Sequence, residues 1–215
     1  MSNALPDGRA AFAAAFDVSR ETLAKLDRYA ELLAEWQARY NLVGPATLAD
    51  VWTRHFADSA QLAALVPRQS RWLDIGSGGG FPGMVVALLT GDSLCLVDSV
   101  RKKTAFLEVV RDELELGGCV EVRTDRVESM SSEKFDVITA RACAPLSKLF
   151  DWGLRHAAQS TLWLLPKGAS VSDEIAEAAR RFDFAHELIA SQTDARGRIV
   201  KAWNVRRRGK GRGHQ

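Results

Sequence analysis

From residue 18 to residue 40 apolar side chains return every three or four positions: Leu23, Leu26, Tyr29, Ala30, Leu33, Trp36 and Tyr40. That spacing lines them along one stripe of a 3.6-residue turn and predicts an amphipathic helix. Ser19 is placed to cap it, with Thr22 where a capping box prefers Glu or Gln. The Gly-Pro of NLVGPAT ends it. A second helical stretch is predicted from about Leu48 to Leu65, closed by Pro67. No strand-like alternation interrupts these segments, so residues 1–68 are expected to form a helical N-terminal cap.

At Arg71 the rhythm changes. RWLDI, SLCLVDS, CVEVR, KFDVITA and STLWLLP are short apolar runs rich in β-branched residues. Helical patterns separate them over Pro82–Thr90, Arg101–Leu116, Leu146–Ala158 and Ser172–Phe182. Strands alternating with helices at this spacing predict βαβ units and a mostly parallel sheet. ELIASQ and RIVKAWNVRRR have no helix between them and are expected to close the sheet edge as a hairpin, making seven strands in an α/β domain over residues 69–205.

Composition adds little except at the end of the chain. The net charge is +2, of which the last ten residues, RRRGKGRGHQ, contribute +5, so the rest sums to −3. Residues 206–215 are therefore expected to be a basic, flexible tail. Such a tail suits a polyanion, nucleic acid above all, or serves as a solubilising end; both readings stand. No apolar run approaches the roughly 18–20 residues of a membrane span, and the N-terminus does not read as a signal peptide. Cys95, Cys119 and Cys143 are far apart and in apolar surroundings, without CxxC or HxxxH spacing. They predict core thiols in a reducing compartment and no metal site, so a cytoplasmic location is expected.

The chemistry concentrates in LDIGSGGGFPG, Leu73–Gly83, at the junction of the first strand and the next helix. Open α/β sheets bind ligands at such carboxyl ends. Gly76, Gly78 and Gly80 let a ligand lie against backbone N–H groups, and Pro82 suits a helix start. This is not the dinucleotide pattern G-x-G-x-x-G, which would need glycine at Phe81. The order here is D-x-G-x-G-x-G from Asp74. An acid just before the glycines suits a cationic ligand such as S-adenosylmethionine and would repel a pyrophosphate. Asp98 ends the second strand, placed to take two ribose hydroxyls. Thr124-Asp125-Arg126-Val127-Glu128 follows the third strand, the region that meets adenine in such folds. The plainer reading makes Asp98 a helix cap and Asp74 a solvated turn acid; three features at three successive strand ends weigh against it.

The stretches WQARYNLVGP, RHFADSAQL, LDIGSGGGFPG, VDSVRKKTAFLEVV, DRVES, FDVITARACAPL and LLPKG run in this order from Trp36 to Gly168. Together they resemble the bacterial 16S rRNA guanine-N7 methyltransferases, the glucose-inhibited division protein B or RsmG family. GSGGGFPG and DS-x-x-KK-x-x-FL carry most of the specificity. W-x-x-x-x-NL and RH-x-x-DS set the family apart from other class I methyltransferases. Leu42-Val43 departs from the usual Leu-Thr, and the basic tail is longer than the family pattern.

The resemblance implies a Rossmann-like class I methyltransferase fold. It implies methyl transfer from S-adenosylmethionine to N7 of one guanine in the decoding-region loop of 16S rRNA. The substrate is then the 30S subunit or an assembly intermediate, and the enzyme a monomer without membrane association. Asp74, Gly76, Ser77, Gly78, Gly80, Phe81, Asp98, Ser99, Arg126, Val127, Glu128 and Arg141 are the expected cofactor contacts. Guanine N7 carries no proton, so no general base is needed, and alignment and exclusion of water remain as the catalytic devices.

Arg141, in ITARACAP, is the residue expected to position the substrate, its planar fork meeting a phosphate or the O6 edge of guanine. An ion pair with Asp136 is the alternative. Arg101, Lys102 and Lys103 open a helix whose dipole they oppose, which RNA phosphate would compensate; a solvated face is the other reading. Lys167 is a substrate contact or a turn lysine, and Arg206, Arg207 and Arg208 are expected on RNA. His55 and Asp58 share a helix face and suggest docking of the cap onto the glycine loop. Trp36, Trp72 and Trp163 read as core, while Trp52 and Trp203 are undecided. Three rivals remain: a methyltransferase acting on another RNA, a protein or a small molecule, a non-catalytic ribosome assembly factor, and an NAD-linked oxidoreductase. The placement of Asp74 argues against the last.

Overall fold

The computed structural model describes residues 8–209. Seven strands form one sheet: β1 (Arg71–Ile75), β2 (Ser93–Asp98), β3 (Val120–Thr124), β4 (Phe135–Thr139), β5 (Ala157–Lys167), β6 (Phe182–Ala190) and β7 (Arg198–Arg207). Their spatial order is β3-β2-β1-β4-β5-β7-β6. The first five are parallel, and β7 pairs antiparallel with both β5 and β6. The sheet has the seven strands and closing hairpin that the pattern predicts, but β6 begins at Phe182, where the helix expected over Ser172–Phe182 was to end, and not at ELIASQ.

Alternation along strands buried on both sides divides the core. Trp72, Leu94, Leu96, Val137 and Leu164 face one side, packed with the N-terminal helices. Leu73, Ile75, Val97, Ile138, Trp163 and Leu165 face the other. There they meet α7 (Leu146–Gly153) and α8 (Val171–Ala179).

The cap comprises α1 (Arg9–Phe16), α2 (Arg20–Gln37), α3 (Pro45–Leu48), a π-helical turn (Trp52–Ala57) and α4 (Asp58–Ala63). Ser19 caps α2 by accepting the Thr22 N–H at 3.0 Å. Leu26, Tyr29 and Leu33 of α2 are fully buried and share one core with Phe81, Met84, Phe106 and Leu107. The last four come from the glycine loop, α5 (Gly83–Thr90) and α6 (Arg101–Glu113). At about 1.5–3 kcal/mol for each such side chain, this burial fixes the cap against the loop.

Four further expectations are corrected. The stretch from Leu48 to Leu65 is broken by the π turn, which re-aims His55 and Asp58. Cys143, expected as a core thiol, is exposed, and residues 9–16, for which no separate element was predicted, add a helix anchored by Phe12 against Trp52 at 5.4 Å between ring centroids. The helix from Leu146 stops at Gly153, where an added Cβ would strike the Trp163 ring, and β5 begins already at Ala157, opposite Phe135. The tail expected from residue 206 is in part a strand: Arg206 and Arg207 end β7, paired with Asp183 and Phe182 of β6. Lys210 and Arg212 lie outside the described residues. Among the described residues, no helix is long and apolar enough to cross a membrane.

Candidate active site

β1 sits between β2 and β4, so the glycine loop opens at the carboxyl end of the sheet where strand order reverses. The loop is fastened from below: Gly76 and Ser77 donate their N–H groups to Val97 O at 2.8 and 3.1 Å. Gly76 has φ +68°, and a Cβ there would run into Cys143 Sγ. Gly80, at φ +89°, leaves room for the Tyr29 hydroxyl, which donates to Gly79 O. Phe81 lies between two rings, Tyr29 at 5.3 Å and His55 at 4.7 Å. The cap thus forms one wall of the site.

A cavity of about 730 Å³ opens above the loop. Of the residues singled out in the sequence, Gly76, Ser77, Gly78, Phe81, Lys103, Arg141 and Lys167 line it. So do Thr47, Arg54, His55 and Asp58 of the cap, Glu174 of α8, and Thr193, Asp194 and Arg198 around the β6–β7 turn. Sequence reasoning assigned no cavity role to Arg54, Thr193, Asp194 or Arg198. The only signal for Arg54 was its place in RH-x-x-DS.

Arg141 is tied to the cap. Nη1 donates to Arg54 O at 2.9 Å and to Asp58 Oδ2 at 3.2 Å, and Nη2 donates to His55 Nδ1 at 2.6 Å. Its guanidinium lies 5.0 Å from the Phe81 ring centre. The pairing with Asp136 is not found: that carboxylate accepts the Arg71 N–H, and Asp58 takes its place. Asp58 Oδ1 also accepts from Thr193 Oγ1 at 2.7 Å and Gln61 Nε2 at 3.0 Å, joining Arg141 to the β6–β7 turn. Since a guanidinium only donates, His55 Nδ1 accepts, and the neutral ring carries its proton on Nε2. That proton goes to Thr47 Oγ1, 2.8 Å away, whose hydroxyl in turn donates to Gly44 O. Burial, with Arg141 and Arg54 nearby, pulls the His55 pKa down to about 3.

Asp74 is fully buried behind the loop and does not reach the cavity wall. Oδ2 accepts the Gly83 N–H at 3.1 Å, while Oδ1 has no hydrogen-bond partner among the described residues. Burial raises its pKa to about 7, only partly offset by Gly83. Asp98 is also off the wall. Its oxygens accept Gly78 N–H at 3.1 Å and Val100 N–H at 2.9 Å, with Lys103 Nζ at 3.7 Å. It ties the glycine loop to Val100, the residue that caps α6, without being the cap itself, and each oxygen keeps a second lone pair.

The other expected residues are spread around this centre. Gly80 is buried behind the loop, Ser99 is exposed, and Val127 is in the core with exposed Arg126 and Glu128 on either side. Arg101 is exposed, and Lys102 lies over the Tyr40 ring at 5.4 Å. Lys167 is mostly buried, donating to Ala144 O and paired with Glu174 at 2.9 Å. Arg206, Arg207 and Arg208 are at the opposite end of the sheet, because β7 starts at the cavity and runs away from it. Trp72 and Trp163 are core, and Trp36 and Trp52 pack against it.

A sheet of this order, with a glycine loop after β1 and an acid ending β2, defines a Rossmann-like methyltransferase. A TehB-like SAM-dependent methyltransferase from Corynebacterium glutamicum shares the fold, with a TM-score of 0.56 and 13% identity over 84% of this chain and 100% of that one. The family model for rRNA small subunit methyltransferase G matches residues 22–198. Ribosomal RNA small subunit methyltransferase G of Gluconobacter oxydans is 40% identical over 88% of this chain and 97% of its own. That of Caulobacter vibrioides is 41% identical over 92% of each. The chain belongs to the rRNA small subunit methyltransferase G family.

Proposed function

We propose that this chain transfers a methyl group from S-adenosylmethionine to N7 of a guanine in the decoding-region loop of 16S rRNA. It acts as a monomer on the 30S subunit or an assembly intermediate, in the cytoplasm. The observation that carries this reading is the state of the cavity's ionisable groups. His55 has both ring nitrogens engaged, and Asp58, Asp194 and Glu174 are each paired with a cation, Arg141, Arg54 and Lys167. Among the described residues the wall offers contacts and shape but no free base. An acceptor that brings its own lone pair and loses no proton fits such a wall.

The donor group fits the residues present. A glycine cradle that a Cβ would fill leaves room for a ligand against the loop, and a buried carboxylate oxygen without a partner among the described residues favours a cationic ligand over a pyrophosphate. Bound S-adenosylmethionine supplies a methyl already activated on positive sulfur. Gly76, Ser77 and Gly78 would form the floor of its site, and Asp74 would hold negative charge behind that floor. Asp98 and Ser99 would hold the ribose hydroxyls, and the Arg126, Val127 and Glu128 segment would border the adenine. Arg141 fixes the acceptor base in line, its charge offset by Asp58. The base must leave its stack to enter, and Lys103, Arg101 and Lys102 meet the RNA backbone around it, while Lys167 stays engaged with Glu174.

The test uses methyl-labelled donor with 30S subunits, and separately naked 16S rRNA, both lacking the modification. Label at one decoding-loop guanine, mapped by cleavage selective for N7-methylguanine, is expected. Label on another RNA or a protein would replace the target. No transfer with intact donor binding would make the chain a non-catalytic assembly factor.

A further inference from the structure

The end of the sheet remote from the cavity carries a second charged surface. β7 sets Arg198 opposite Lys167 at the cavity and then runs to Arg207. At the rise of an extended strand that distance is about 30 Å. Its far end pairs with the start of β6, Phe182 opposite Arg207, and Arg208 N–H donates to Arg181 O just after α8. Arg180, Arg181, Arg206, Arg207 and Arg208 therefore gather at one pole.

Three carboxylates serve these five arginines. Asp183 faces Arg206 at 3.6 Å and Arg208 at 2.9 Å, and Asp151 faces Arg181 and Arg207, each at 2.6 Å. Glu177 pairs with Arg180. Two acids are each shared by two guanidiniums, so the pole stays positive and many N–H donors remain free. Arg181 and Arg207 also lie against the buried Phe182 ring, both 5.6 Å from its centre. The forks are thus ordered in advance, which lowers the entropy lost when they bind. Arg180 and Arg206 present 76% and 79% of their side chains to solvent. The sequence continues with Lys210 and Arg212.

We propose that this pole binds RNA phosphate backbone at a distance from the methylated loop. The identity of the RNA rests on the function proposed above. Ordered guanidiniums with spare donors match phosphate, and they read shape without base sequence. Val100 and Leu188, the large apolar side chains exposed among the described residues, are not part of the pole, which disfavours a protein partner. A ligand that fills the cavity and also reaches the pole must extend about 30 Å. A short hairpin carrying the target base reaches only the cavity, whereas a folded subunit presents phosphates to both.

The test is the triple variant Arg180→Gln, Arg206→Gln, Arg208→Gln, which leaves Arg181, Asp151 and Arg207 in place. Circular dichroism checks that it folds. Filter binding to unmodified 30S subunits is measured across a salt series. Affinity is expected to fall about tenfold, and the log–log salt slope to shrink by roughly two, at about 0.7–0.9 for each phosphate that is no longer neutralised. In parallel, the ratio of kcat/KM for subunits to that for a short target hairpin should fall about tenfold. Unchanged affinity and slope overturn the proposal, and so does an equal loss on both RNAs. Wild type that binds subunits through these arginines yet methylates neither RNA would sink the proposed reaction and leave the pole standing.

Discussion

Arg141 Nη2 donates to His55 Nδ1 at 2.6 Å, and that one bond settles where the imidazole keeps its proton. His55 is then a neutral acceptor towards the cavity and a donor towards Thr47. Nitrogen NMR should show the Nε2–H tautomer with no titration between about pH 5 and 8. The unfolded ring binds a proton near pH 6.5, the folded one only near 3. Stability carried by the neutral ring is present above 6.5 and is lost as pH falls from 6.5 towards 3, by up to about 1.4 kcal/mol per unit. His55→Asn should flatten that part of the melting profile. A His55 resonance titrating near 6.5 would contradict the network.

Arg141→Lys keeps the charge but cannot serve three acceptors spread over Arg54, His55 and Asp58. We expect kcat/KM on 30S subunits to drop by about tenfold to a hundredfold, while donor affinity by calorimetry changes less. Equal loss of both would make Arg141 a cofactor residue first.

Gly76→Ala meets two obstacles, a backbone at φ +68° and the Cys143 sulfur where the methyl would go. The cost is about 1–3 kcal/mol, and donor affinity should fall with it. Adding Cys143→Ala removes the sulfur but not the strain, so partial rescue is expected. Full rescue would show that backbone conformation hardly matters here, and no rescue that the sulfur does not.

The strands were legible because two-sided burial leaves dense apolar runs; RWLDI coincides with β1 residue for residue. The glycine loop was legible because few other uses for such a run exist. The π turn was not, since a one-residue widening leaves the apolar spacing nearly intact. At Arg206 and Arg207 two readings overlapped, the strand run RIVKAWNVRRR and the basic tail, and β7 follows the first. Arginine in a terminal run reads as solvated until Asp151 and Asp183 arrive from distant segments. Arg141 was singled out, but its partners lie more than eighty residues earlier, and spacing carries no record of such a pairing. For the same reason the burial of Asp74 was not legible: sequence shows an acid before the glycines, not that it lies beneath them.

Asp74 gives the last prediction. Its folded pKa, about 7, lies above the unfolded value of 3.8, because burial penalises the charge. The folded state therefore binds the extra proton between those values, and stability falls as pH rises from about 4 to 7. Asp74→Asn removes the buried charge and keeps the shape. Without donor, the variant should be more stable than wild type at about pH 8, by roughly 2–4 kcal/mol, and the two should converge in acid. With donor the order reverses in affinity. A positive sulfur nearby favours the carboxylate, so wild-type affinity should rise with pH through about 7 and level off above it, releasing protons on the way. Calorimetry in two buffers of different ionisation enthalpy reads that release directly. The Asn variant should bind more weakly at about pH 8 and show no such rise. The same pH dependence in both proteins would mean that Asp74 carries no charge the ligand responds to, and that the loop alone selects it.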